Sequence, residues 1–169
     1  MCKSKIVGMM ALIAFAMGIF SVGDALAGER GKVAAREVLY ATTVQTLKVP
    51  DVEGHTIHLI EAKGIGFSEK WGAYLIYLTY TLDVIKGEGT HQGYNHMTYP
   101  DGSTFTVKYE GKNMRGGRGL TGTAGGEGTW TLIKGTGKFE GIQGEGTYKS
   151  YSLGPGQWYN DTEGEYTLP

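Results

Sequence analysis

The chain has 169 residues, a formal net charge of −1, 29 glycines, 11 tyrosines and one cysteine. Near neutrality argues against a basic nucleic-acid surface, and a lone cysteine excludes both an internal disulfide framework and a cysteine-built metal site. The stability of an extracytoplasmic chain of this kind must then come from its core.

The first element is a targeting segment. Lys3 and Lys5 precede an apolar run over residues 6–22, and Ala25, Leu26 and Ala27 supply the small residues of a cleavage site. This layout predicts a signal peptide over residues 1–27 and a mature chain beginning at Gly28, in the periplasm or the medium. The run is close to the shortest membrane span, so an uncleaved anchor is the alternative. After cleavage the chain loses Cys2 and is expected to have no membrane segment.

Beyond residue 28 no stretch has helical periodicity. Threonine, tyrosine, valine and isoleucine form runs punctuated by glycine, the pattern of strands and tight turns. About eight strands are predicted, over residues 37–48, 55–64, 73–89, 90–99, 103–111, 127–135, 144–152 and 157–168. Pro50-Asp51 and Pro100-Asp101-Gly102 are turn signals, and residues 114–126 are a glycine-rich connection. One domain spanning residues 28–169 is expected.

Side chains alternate across a strand, so parity assigns faces. Tyr74, Ile76, Leu78, Tyr80, Leu82 and Val84 share one face. Phe105, Val107 and Tyr109 share one on a later strand, as do Trp130 and Leu132. Threonines and charges fill most of the opposite faces. Consecutive antiparallel strands with one apolar face can bury it by closing into a barrel, which also removes free edges. An all-β closed antiparallel barrel is therefore predicted, with a β-sandwich as the alternative. Glycines at positions 87, 89, 126, 128, 144 and 146 fit the corners of such a sheet, and Gly135 and Gly137 fit a positive-φ turn. Phe139 or Ile142 would plug one end.

Several chemistries find no support. "GTGK" has no glycine five residues before Gly137, and Phe139 stands where a phosphate loop needs serine or threonine. No nucleophile elbow is present. His55 and His58 are three apart, and His91 and His96 five apart, so each pair splits across its sheet. No metal or other cofactor is expected. Glu88, Glu127 and Glu145 should face solvent. Glu61 shares parity with Ile57 and Leu59, making it the candidate inward carboxylate; His96 is the second candidate acid or base. The candidate ligand-binding residues are Tyr74, Tyr80, Phe105, Tyr109, Trp130 and Tyr148, with Trp158 on a compatible parity. An interior lined in this way suits an aromatic or polyunsaturated ligand, unless side chains fill it.

Residues 128–148, "GTWTLIKGTGKFEGIQGEGTY", resemble the barrel superfamily of allene oxide cyclases and dirigent proteins, and also small exported bacterial proteins. The shared feature is a strand, a Gly-Gly-Thr-Gly-(Lys/Arg)-Phe turn and a glycine-containing strand; here Lys134 replaces the first glycine. The resemblance implies an eight-stranded antiparallel barrel, frequently a homo-oligomer, with a cavity for a small hydrophobic ligand. It brings no catalytic residue, because the motif is structural. Three functions follow as expectations. The first is binding of a hydrophobic or aromatic molecule. The second is a cofactor-free cyclase or isomerase, and the third an interaction protein with a filled barrel.

Overall fold

The structure, a computed structural model, describes residues 28–114 and 125–169. The predicted signal peptide and most of the glycine-rich connection lie outside the described residues. Eight strands follow in order: β1 Glu29–Lys48, β2 His55–Ser68, β3 Gly72–Ile85, β4 Glu88–Thr98, β5 Thr104–Asn113, β6 Gly126–Thr136, β7 Gln143–Gly154 and β8 Gln157–Leu168. Each pairs antiparallel with the next, and β8 pairs back onto β1 to close the barrel. The sandwich alternative is thereby excluded.

Closure explains the largest difference from the predicted strands. β1 begins at Glu29 rather than at residue 37, because Glu29 through Tyr40 pair with Leu168 back through Gln157. Local sequence there (Glu, Arg, Lys and two alanines) has weak strand preference; the distant C-terminal strand holds it extended. Register shifts at Ala41/Thr43, Thr106/Val107 and Ser152/Gly154 mark bulges that sharpen the coiling of a small barrel.

The turns follow their chemistry. Lys86 and Gly87 have φ of 52° and 89°, a two-residue turn of the kind that suits twisted hairpins. Gly102 donates its N–H to the carbonyl of Tyr99 at 3.0 Å, closing the predicted Pro-Asp-Gly turn. Gly137, with φ of 61°, opens a single-turn 3-10 helix, Gly137–Phe139. Gly135 does not have a positive φ. It is a strand residue of β6, and a side chain there would run into the returning backbone at Phe139.

The apolar parity predicted for β3, β5 and β6 faces the interior: Tyr74, Ile76, Leu78, Phe105, Val107, Tyr109, Trp130 and Leu132 are all buried. One barrel end carries the turns at residues 49–54, 86–87 and 155–156. The other carries the turns at 69–71, 99–103 and 137–142 with the termini of β1 and β8. Phe139 and Ile142 both turn into this second end, where Phe139 is wholly buried. Its ring meets Trp71 at 5.2 Å and Phe105 at 5.0 Å, edge to face, and Trp71 also meets Tyr166 at 4.7 Å. These edge-on contacts make an aromatic plug.

Candidate functional site

Above the plug the barrel holds a cavity of about 400 Å³. Tyr74, Tyr80, Phe105, Tyr109, Trp130 and Tyr148 all line it, joined by Trp158 and by Leu78, Met97 and Val107. The rings brace one another: Tyr109 meets Tyr148 at 5.7 Å and 89°, and Tyr80 meets Trp158 at 6.2 Å and 74°. Burial pushes the Tyr80 phenol up to about 12, and it raises Tyr74, Tyr109 and Tyr148 as well. These phenols are therefore uncharged at neutral pH.

Glycine makes room for it. Gly146 and Gly164 pair across β7 and β8, and a Cβ on either would strike the Trp130 indole. Two paired glycines, without side chains, form the bed on which that ring lies.

The buried acid of the site is Glu37, 2% exposed, on β1. Tyr74 Oη donates to its Oε1 and Asn160 Nδ2 to its Oε2, each at 3.1 Å. Ser150 Oγ donates to Asn160 Oδ1 at 2.6 Å, extending the network across β8 to β7. Burial raises the Glu37 pKa above the ordinary value; the bonds from Asn160 and Tyr74 oppose that rise. Burial thus favours the protonated carboxyl.

A second polar group sits on β4. His91 Nε2 is hydrogen-bonded to the Tyr148 hydroxyl. Burial lowers the pKa of the His91 ring, with Asn113 opposing, so the ring is held towards its neutral form. Asn95 and Tyr99 follow on the same inward face of β4 and its extension.

Both sequence-predicted acid–base candidates lie elsewhere. Glu61 stands between buried Ile60 and Ala62, and so projects from the outer face. The reason is that β2 is more apolar outside than inside. Leu59, Ile65 and Phe67 are exposed, whereas the inner face carries Ala62, Gly64, Gly66 and Ser68. Company with apolar residues therefore pointed the wrong way. His96 is likewise exposed, between buried Asn95 and Met97, and shares a 3.0 Å hydrogen bond with Thr106 on the outer surface. Glu88, Glu127 and Glu145 are exposed, as predicted.

The polar residues that sequence reading missed had a usable signal. Glu37 has the parity of Leu39, Ala35 and Val33, and His91 and Asn95 have the parity of Met97. Trp71 had none, since it stands in a turn.

No family model and no curated protein matches the chain. Among solved structures it is similar to a pterocarpan synthase dirigent protein, at 15% identity and a TM-score of 0.51, over 94% of this chain and 99% of that one. At that identity the likeness concerns the fold. The chain is a closed, cavity-bearing antiparallel barrel with one plugged end, and its fold is dirigent-like.

Proposed function

We propose that the protein is an exported barrel that binds a small hydrophobic or aromatic molecule in its interior. The observation that carries this reading is the cavity itself, with seven aromatic side chains from five strands converging on it. Its volume falls within the roughly 300–1,000 Å³ of ordinary ligand pockets. The aromatic plug supports a single-ended cup rather than a channel. Native mass spectrometry of the mature chain, purified from its own host, tests the proposal. Extra mass removable by organic solvent, on a polypeptide starting at Gly28, is expected. A chain that carries no such mass and takes up no apolar probe would refute it.

A second reading, a cofactor-free cyclase or isomerase of the allene oxide cyclase or dirigent type, is favoured by Glu37. A carboxyl kept towards its protonated form beside an apolar cavity is a proton donor, and a neutral imidazole on the same cavity is an acceptor. Under this reading Glu37→Gln retains the bound molecule but leaves it unconverted.

The outer surface supports self-association as well. Tyr151 pairs with Tyr159, Tyr159 with Val38, Val38 with Ile65 and Ile65 with Leu75, an apolar row over five adjacent strands. Ile65 and Leu75 are each 63% exposed. A second copy of the chain is the proposed occupant of this belt.

A further inference from the structure

Three buried polar atoms have no hydrogen-bond partner among the described residues: His91 Nδ1, Asn95 Oδ1 and the Tyr99 hydroxyl. The three residues recur at every fourth position along the inner face of β4 and its extension, roughly 13 Å apart at about 3.3 Å per residue. All three line the cavity, and His91, Asn95 and Tyr99 are only 8%, 8% and 2% exposed. The other polar groups of the interior behave differently. Glu37, Asn160 and Ser150 satisfy one another.

Asn95 is the most isolated of the row. Its cross-strand neighbours are Leu78 on β3 and Val107 on β5, both apolar and buried. Its inward neighbours along β4 are Gly93 and Met97. Among the described residues no side chain hydrogen-bonds its amide oxygen. An unpaired buried acceptor costs about 1–3 kcal/mol, and a polar residue at this position gains nothing from packing that leucine would not provide. Its position is explained if its partner comes from outside the chain.

We propose that Asn95 is a specificity-determining residue of the cavity, its Oδ1 accepting a hydrogen bond from a hydroxyl or N–H of the bound molecule. This rests on the cavity-binding reading and narrows it: the ligand is an apolar body carrying a donor that reaches the middle of β4. A hydrocarbon of the same shape would leave Asn95 unpaired, so the site rejects it.

The test compares 2-naphthol with 2-methylnaphthalene, matched in shape and differing in one donor, by quenching of tryptophan fluorescence. The wild-type protein is expected to bind 2-naphthol at least about tenfold more tightly, the value of one neutral hydrogen bond. In Asn95→Leu that preference collapses, with 2-methylnaphthalene bound as well as before or better. Asn95→Leu also removes an unsatisfied acceptor, so its apo melting temperature is expected at or above that of wild type. An undiminished preference in Asn95→Leu, or equal binding of both probes by wild type, overturns the assignment and leaves the cavity reading standing. Failure of both probes to bind wild type removes both.

Discussion

The hydroxyl of Tyr74 lies 3.1 Å from Oε1 of Glu37, and the two residues, 37 positions apart, are both buried in the barrel wall. Tyr74 arrives from β3 and Glu37 from β1, so β2 separates them in the sheet. The strand between them contributes Gly66 at that level, and a side chain there would occupy the space of the Tyr74 ring. The acid–phenol pair therefore depends on a glycine belonging to neither partner's strand.

The Glu37 carboxyl has a raised pKa in the folded state, so its contribution to stability is greatest at low pH. As pH rises past the ordinary value of 4.5 the unfolded chain releases this proton while the folded one retains it. Stability falls until the folded-state pKa is passed. Gln at this position is a neutral isostere of the protonated acid, its amide oxygen accepting where the carboxyl accepts. Glu37→Gln is expected to match wild type near about pH 4 and to exceed it progressively at higher pH. Urea denaturation across the pH range measures the difference; parallel curves would remove the pH role assigned to Glu37.

Gly164→Ala places a methyl against the Trp130 indole and the Glu145 carbonyl. Overpacking of this kind costs roughly 1–3 kcal/mol. Because Trp130 is itself part of the cavity wall, its emission maximum should shift along with the loss of stability. Chemical denaturation followed by tryptophan fluorescence reads both, and a neutral substitution with unchanged emission would contradict the packing.

Phe139 closes the plugged end with no exposed surface. Phe139→Ala is expected to destabilise by about 3–5 kcal/mol, the range for truncating a fully buried ring. Loss of the plug also lengthens the cavity, so the variant should admit longer apolar probes than wild type. A small change in melting temperature would show that Trp71 and Tyr99 fill the end without it.

Ile65→Lys puts a charge within the outer belt, on a side chain that faces solvent. Multi-angle light scattering is expected to show an oligomer for wild type and a monomer for the variant, with unchanged melting of the monomer fold. A monomeric wild type at tens of micromolar would end the self-association reading.

Much of the architecture was legible because strand parity is local. Tyr74, Ile76 and Leu78 announce their face by spacing alone, and the six aromatics chosen on that basis all reach the cavity. The same logic failed on β2, where Ile65 and Phe67 lie outside and Gly64 and Gly66 inside. There the apolar face is the outer one, and parity identifies two faces without saying which is inner. Glu61 is taken as the inward carboxylate for this reason, although it lies on the outer face.

The sequence alone determined the strand class, the turns at Pro100-Asp101-Gly102 and Gly137, and the aromatic character of one sheet face, since each depends on residues within a few positions of one another. Only the tertiary structure decided that the first residues of β1 are a strand, that Glu37 rather than Glu61 is the buried acid, and that Asn95 faces an apolar wall without a partner. These depend on β1 meeting β8 at the seam of the barrel and on which face of each strand the closure turns inward. Closure is a property of the whole sheet, and no short window of sequence contains it.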